Sequence, residues 1–300
     1  MRLVIALGGN ALLKRGEALT EENQRRNMQA AAAALASACE GHQVAIVHGN
    51  GPQVGLLALE AAAYDAVPPY PLDVLGAESQ GMVGYVIAQE LRNAAPSRLV
   101  ASILTQTIVD GNDPAFARPT KPIGPVYGSI DEGRAGIGRD WSFAADGKGF
   151  RRVVPSPHPV EIVEMAEIAH LFDSGVVTIC CGGGGIPVLR DEAGQLHGIE
   201  AVIDKDLAAA LLARQLKADR LIILTDVDAV YTGWGTPEQR ALRELSAAEI
   251  TGHDFAEGSM LPKVQAAALF AGSTGSPAAI GALADLQAVM EGRAGTQVTG

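Results

Sequence analysis

The chain uses arginine as its default cation, 17 Arg against 6 Lys, yet half of its lysines stand in distinctive surroundings. They are Lys121 in Pro119-Thr-Lys-Pro-Ile-Gly-Pro125, Lys205 in Ile203-Asp-Lys-Asp206, and Lys263 in Ser259-Met-Leu-Pro-Lys263. A compact ammonium on a flexible stem suits a migrating phosphoryl group, whose charge is spread over its oxygens during transfer. A single lysine is more often a solvated surface residue, the reading that fits Lys14, Lys148 and Lys217. Asp204 and Asp206 flank Lys205 at the start of a helical pattern. Asp204 reads first as a simple N-cap, whereas Asp206 is placed to orient a catalytic lysine or to help hold a magnesium ion.

Glycines supply the second signal. Leu7-Gly8-Gly9-Asn10-Ala11 and His48-Gly49-Asn50-Gly51-Pro52-Gln53 each follow an apolar run directly. Glycines at the carboxyl ends of neighbouring parallel strands let backbone N–H groups approach an oxyanion, and the helix N-termini that follow favour negative charge. One Gly-Gly turn is often only a tight corner, but two loops sharing Gly and Asn make an anion cradle. A third run, Gly182-Gly183-Gly184-Gly185, costs enough backbone entropy that a ligand lying against it is a better account than packing alone. The chain has neither GxxxxGKS nor GxxxxGKT, and its glycines are wrongly spaced for GxGxxG, so P-loop and dinucleotide-fold readings drop out. Leu224-Thr225-Asp226-Val227-Asp228-Ala229-Val230-Tyr231 closes another apolar run with polar groups, either a ligand-binding strand end or a turn-rich surface loop.

The elements that must position these residues follow from periodicity. Leu3 to Leu7 and Val44 to Val47 are short continuous apolar runs, as strands buried on both faces of a parallel sheet are. Between them Thr20 to Cys39 is Ala-rich, acidic in its first turn and closed by Gly41, which predicts a helix and hence a β-α-β unit. Further helices are expected over Asp73 to Asn93, Val160 to Asp173, Asp204 to Lys217 and Leu261 to Ala271, with a short one at Ala247 to Ile250 opened by a Ser246-Glu249 capping box. Strands are expected at Leu99 to Val109, Val176 to Cys181 and Arg220 to Leu224. Residues 116–159 break the alternation: rich in Pro, Gly and charge, too long for an ordinary connection, yet carrying Tyr127, Trp141, Phe143 and Phe150, they predict a small folded lid.

Composition narrows the class. With 48% apolar but only 4% aromatic residues, the core must be filled by Ala, Val, Leu and Ile, which favours parallel strands sandwiched by helices. The net charge of −11 argues against a broad electrostatic footprint for nucleic acid or anionic membrane, so an anionic substrate must be met locally. No stretch approaches the roughly 20 apolar residues that span a bilayer, and Met1 to Leu13 is a poor signal peptide; a cytoplasmic protein is expected. Cys39, Cys180 and Cys181 have no metal-ligand spacing and read as buried reduced thiols.

Taken together, these segments resemble the amino acid kinase family, and within it the branch that phosphorylates carbamate. The resemblance runs the length of the chain, through Gly8-Gly9-Asn10, His48 to Gly55, Ser79 to Tyr85, Pro119 to Pro125, Val154 to Pro157, Gly182 to Val188, Glu200 to Asp206, Thr225 to Tyr231 and Gly258 to Val264. Most relatives place a lysine two residues before the Gly-Gly pair, where this chain has Ala6; the carbamate branch also lacks it, and Lys121 of the lid matches the lysine thought to stand in. The resemblance implies an open αβα sandwich, an α/β fold with about eight mostly parallel strands. It further implies an acceptor lobe over residues 1–200, which includes the lid, and a nucleotide lobe over residues 201–300.

From the same resemblance, Gly8, Gly9, Asn10, Gly49, Asn50, Gly51, Gly183 and Gly184 are expected to bind the acceptor and the phosphoryl group. Lys121, Lys205, Asp206 and Lys263 are expected to act in catalysis. Thr225, Asp226, Val227, Tyr231, Met260, Pro262 and Lys263 are expected to line the nucleotide site. ATP and ADP would be substrates, with Mg2+ held mainly by their phosphates, near Asp206. A homodimer through the helix carrying Gly81-Met-Val-Gly84 is implied as well. Two other readings stay open: a sister kinase of a larger acceptor, for which no arginine beyond Arg15 lies near the first two loops, and a non-catalytic sensor.

Overall fold

The first strand, β1 (Arg2–Leu7), shows how the layers arise, because its alternate side chains enter two different cores. Val4 and Ala6 join one apolar cluster, while Leu3, Ile5 and Leu7 join another on the opposite face. A strand buried on both faces needs helices on both sides. The computed structural model describes residues 1–14, 16–64, 66–135, 141–253, 255 and 260–300, and of Asn10, Ala135 and Thr251 it describes the backbone alone.

In chain order β1 is followed by α1 (Glu21–Cys39), β2 (Gln43–His48), α2 (Gly51–Ala63), α3 (Leu72–Ala94), β3 (Val100–Ser102), β4 (Gln106–Val109) and β5 (Lys121–Tyr127). Next come α4 (Ile130–Ala135), β6 (Ser142–Asp146), β7 (Gly149–Val154), β8 (Pro159–Ile162), α5 (Met165–Asp173), β9 (Val177–Ile179), β10 (Ile186–Arg190) and β11 (Leu196–Gly198). The last stretch holds α6 (Lys205–Gln215), β12 (Arg220–Thr225), β13 (Val230–Thr232), β14 (Arg240–Leu242), β15 (Glu244–Ser246), α7 (Met260–Thr274), β16 (Ala278–Ala282), α8 (Leu286–Met290) and β17 (Thr296–Thr299).

Eight strands form the central sheet in the order β15-β17-β16-β12-β1-β2-β9-β3, and only the β16–β17 pair is antiparallel. One face is covered by α1, α3 and α8, through Met28, Leu35, Ile87, Leu91 and Leu286. The other is covered by α5, α6 and α7, where Phe172 and Phe270 are the large side chains and Ala208, Ala209, Ala266 and Ala267 fill the rest. Those alanines let helices lie close to the sheet, which is how so few aromatics suffice. The chain is therefore the three-layer αβα sandwich that its composition and motifs imply.

Strands β5, β7 and β6 form an antiparallel sheet in that order with α4 beside it, so the lid has its own small structure. A third core seats it, with Ile123 and Val154 packed against Val54 and Ala58 of α2 and Leu72 and Leu75 of α3.

Three expectations change. The helix predicted over Val160 to Asp173 is β8 followed by α5, because Pro159 and the alternating Val160 and Ile162 make an edge strand that pairs antiparallel with β4. The single strand over Leu99 to Val109 is two: β3 ends in the main sheet, and β4 enters a second sheet ordered β11-β10-β4-β8. The Ser246-Glu249 pair is bonded, the Glu249 carboxylate accepting from the Ser246 backbone N–H at 2.9 Å, but it opens only a 3-10 turn at Ile250–Gly252.

The lid meets the body closely at two glycines. A Cβ on Gly55 of α2 would lie 2.0 Å from the Gly124 Cα, and Gly124 has φ +73 within a register slip of β5. In an open helix Gly→Ala gains up to about 1 kcal/mol. Here Gly55→Ala is expected to destabilise the protein by about 1–3 kcal/mol through overpacking, read from the midpoint of urea unfolding; an unchanged or higher midpoint would contradict this contact.

Candidate active site

Every residue singled out for chemistry has to be placed by a strand end or a helix start, and the central strands do this first. Gly8 follows β1, Gly49 follows β2 and Thr225 ends β12, three adjacent parallel strands. Gly8 donates its backbone N–H to the Leu224 carbonyl at 3.0 Å, and a Cβ on it would lie 2.7 Å from that oxygen. Glycine is thus required where the β1 and β12 loops cross. A Cβ on Gly49 would lie 3.4 Å from Lys205 Cδ and 3.7 Å from the Gly9 nitrogen, so the Lys205 stem packs against Gly49, and the two glycine loops lie side by side. Gly51 begins α2 with Pro52 behind it, and no side chain caps that N-terminus.

The lysines converge through two aspartates at the start of α6. Lys205 Nζ donates to Asp206 Oδ1 at 2.5 Å, and Lys263 Nζ, from the first turns of α7, donates to Asp206 Oδ2 at 2.9 Å. Lys121 Nζ reaches in from the lid to Asp204 Oδ2 at 2.5 Å. Asp204 also caps α6, its Oδ1 accepting from the Asp206 N–H at 2.8 Å. All four residues expected to act in catalysis therefore meet in one place, together with Asp204, which the sequence alone presents as a cap. Three ammonium groups against two carboxylates leave a net positive charge in a largely buried cluster, suited to receiving an anion.

Burial would push the Asp206 carboxyl up, but the ammonium groups of Lys205 and Lys263 outweigh it and hold it below the usual carboxylate range. Asp204 is likewise held down against its burial, chiefly by Lys121 and then Lys205. Burial drives Lys205 the other way, down to about 8, with the Lys263 charge adding to the effect and Asp206 opposing it. For Lys263, burial is outweighed by Asp206 and the pKa is raised. Each oxygen of Asp206 and of Asp204 already accepts from an N–H donor. Among the described residues no group of three or more His, Cys, Asp or Glu is placed to hold a metal.

The remaining expected site residues divide. Asn50 donates from Nδ2 to Ser79 Oγ at 2.8 Å, and Ser79 donates on to the Gly76 carbonyl at 2.8 Å. The glycine run turns through φ +65, +96 and +96 at Gly183, Gly184 and Gly185. A Cβ would strike His48 at Gly182, Asn50 at Gly183, the Ile203 carbonyl at Gly184 and Thr107 at Gly185. Packing alone therefore demands all four glycines, which corrects the inference that the run needs a ligand to explain it. Tyr231 donates to Asp228 Oδ1 at 2.6 Å and meets Trp234 edge-on at 5.4 Å, forming an exposed aromatic corner beyond β12. Asp226 accepts from Thr225 Oγ1 at 3.2 Å, Val227 lies in the same turn, and Met260 and Pro262 open α7 ahead of Lys263. Arg15, Gly258 and Ser259 lie outside the described residues.

Sequence reading missed the supports behind the site. Gln80 of α3 brackets Thr105, accepting from its N–H at 2.9 Å and donating to its carbonyl at 3.1 Å. Thr105 Oγ1 then accepts from the Cys181 N–H at 3.0 Å, and Thr107 Oγ1 donates to the Gly184 carbonyl at 3.1 Å. Buried polar side chains on the inner face of a long helix, Ser79 and Gln80, were the available signal. His48 is buried with its pKa lowered to about 4, chiefly by that burial, so it is neutral. A cleft of about 970 Å3 separates the lid from the body and is lined by Lys14, Pro52, Pro122 and Arg151 among others. It lies beside the lysine cluster and includes none of its members.

Comparison with known proteins gives a consistent picture. The sequence profile of the amino acid kinase family matches residues 1–282. The carbamate kinase of Haemophilus influenzae is 54% identical over 300 residues, covering 100% of this chain and 97% of its own. That of Rhizobium meliloti is 52% identical, covering 100% and 93%. The structure of carbamate kinase from Giardia lamblia bound to AMP-PNP superposes with a TM-score of 0.89 at 41% identity, covering 99% of this chain and 98% of that one. The chain belongs to the amino acid kinase family, a family of phosphotransferases, and within it groups with the carbamate kinases.

Proposed function

We propose that the enzyme catalyses reversible, magnesium-dependent transfer of a phosphoryl group between carbamoyl phosphate and ADP on one side and carbamate and ATP on the other. The observation that carries this reading is the meeting of Lys121, Lys205 and Lys263 around Asp204 and Asp206, with the Lys205 stem packed against Gly49 of the second glycine loop. Toward ATP, a β-phosphate oxygen of ADP attacks phosphorus, the bond from phosphorus to the carbamoyl oxygen breaks, and carbamate leaves as an anion. No proton moves, so no general base is needed, and catalysis reduces to alignment and charge neutralisation.

Gly8, Gly9, Asn10, Gly49, Asn50 and Gly51 cradle the acceptor and the phosphoryl group. Lys205 follows that group between its two positions, Lys121 closes on it from the lid, and Lys263 holds the terminal phosphates of the nucleotide. Asp206 orients Lys205 and Lys263. Thr225 to Tyr231 and Met260 to Pro262 line the nucleotide side, so residues 1–200 serve as acceptor lobe and residues 201–300 as nucleotide lobe. The nucleotide phosphates would carry magnesium, which would screen their charge.

Carbamoyl phosphate is a mixed anhydride of high transfer potential, so we assign the direction to ATP synthesis, as breakdown of arginine or a related nitrogen compound would require. Its reactants are cytoplasmic metabolites, and we place the enzyme there. The outer side of α3 leaves Met82 and Tyr85 exposed beside Gly81, and we read it as the face through which two copies pair.

Three measurements test the reading. Protein mixed with ADP, magnesium and carbamoyl phosphate is expected to form ATP rapidly, and much less from acetyl phosphate; no ATP from carbamoyl phosphate would refute the substrate. Lys205→Ala is expected to lower kcat by about two or more orders of magnitude with an unchanged circular dichroism spectrum, and near-normal turnover would remove Lys205 from the mechanism. Finally, log kcat/KM, which reports the free enzyme, is expected to fall above about pH 8 as Lys205 loses its proton. The sign for stability is opposite. Because the folded pKa lies below the ordinary 10.5, the folded protein binds fewer protons between these values, and this group's contribution to stability rises with pH there. A kcat/KM profile that stays level to pH 10 would show that Lys205 need not be charged.

A further inference from the structure

The cap of α6 carries one more oxygen than a cap needs. Asp204 Oδ1 accepts from the backbone N–H groups of Asp206 at 2.8 Å and Leu207 at 3.4 Å, which completes the capping task. Asn or Ser would do this equally well. The second oxygen, Oδ2, accepts from Lys121 Nζ at 2.5 Å, joining the lid to the body across 83 residues of sequence. The surroundings otherwise disfavour a cation there, because the N-terminus of α6 presents the positive end of its dipole and the Lys205 and Lys263 ammonium groups are close by. Only a carboxylate at position 204 makes that place attractive to the lid lysine.

We propose that Asp204 is a positioning residue that acts through Lys121, holding the lid lysine over the first turn of α6 so that it meets the phosphoryl group on arrival. Asp204 thereby does for the lid lysine what Asp206 does for Lys205 and Lys263. This inference rests on the phosphoryl-transfer reading of the site. When substrate binds, a phosphoryl oxygen offers Lys121 a second charge-assisted acceptor, and the ammonium has only to share its hydrogens. No bond to carbon or phosphorus is made by either residue in this role.

Asp204→Asn keeps the capping oxygen but removes a buried charge that Lys121 and Lys205 favour, so its melting temperature is expected to fall while its circular dichroism spectrum stays that of the unaltered enzyme. Its kcat for ATP formation is expected to fall at least about tenfold, with the KM for ADP changed by less than about threefold. In a Lys121→Met background the same change is expected to alter kcat by less than about twofold, because the residue through which it acts is gone. Losses that multiply in the double variant, or a normal kcat in Asp204→Asn, would overturn the proposal.

A second readout is independent of the substrate. Without ligands, limited proteolysis within residues 116–159 is expected to run faster in both Asp204→Asn and Lys121→Met. Lys121→Met leaves the cap untouched, so it serves even where Asp204→Asn folds poorly, and a lid cleaved at the unaltered rate in Lys121→Met would overturn the proposal. If the unaltered enzyme makes no ATP from carbamoyl phosphate, the substrate reading fails, and proteolysis still decides whether the pair ties the lid.

Discussion

The arrangement of the site depends on one buried carboxylate, that of Asp206, which takes an ammonium group on each oxygen. Two lysines from different helices cannot be buried side by side without an anion between them. Removing one member of such a group costs about 3–5 kcal/mol, because the charges left behind lose their partner in a poorly solvated place. The aspartate therefore holds both ammonium groups in place with no ligand bound. Burial lowers the pKa of Lys205, the most buried of the three lysines, and the Asp206 carboxylate opposes that fall.

That carboxylate is where it is because of the sheet order. The chain lays β2, β9 and β3 to one side of β1, then begins again on the other side with β12, β16, β17 and β15. Loops from β1 and β12 consequently leave the sheet side by side, and open α/β folds bind ligands at such a switch point. Here the gap is closed by the Gly8 to Leu224 hydrogen bond, leaving β1 and β2 to present their glycines. Lys205 comes from the helix before β12 and Lys263 from the helix after it, both covering the same face of the sheet. One strand with the helices on either side of it thus supplies two of the three lysines, and the lid supplies the third.

Much of this was legible in the sequence, for reasons that differ by residue. The runs Leu3 to Leu7 and Val44 to Val47 are buried on both faces and carry no competing pattern, and they became β1 and β2 almost to the residue. The helix from Thr20 was announced by its alanines, its acidic first turn and the Gly41 stop, and the structure adds a cap, Thr20 accepting from the Asn23 N–H at 3.3 Å. Lys121, Lys205 and Lys263 were conspicuous because the chain otherwise prefers arginine. What was not legible depended on distant partners. Pro159 to Ile162 is a strand only because β4 offers an edge, and β4 exists only because the chain leaves the main sheet after Ser102. The glycine run looked like a ligand loop because a sequence cannot show that His48, Asn50, Ile203 and Thr107 arrive from four directions to fill the space a side chain would need.

The same convergence explains how a lid made of poorly patterned sequence places a lysine accurately. Lys121 begins β5, and its backbone is held by pairing with Val154 at the far end of the lid. Two residues on, Ile123 is buried in the third core, and one further Gly124 meets Gly55 of α2. Within four residues the strand is therefore anchored by an ion pair, a sheet pairing, an apolar contact and a backbone contact. Each is individually modest, and a partly exposed ion pair alone is worth about 1 kcal/mol or less. Because all four act on one short rigid strand, loosening any one of them is felt at the Lys121 ammonium, and opening the lid at this end requires that they give way together.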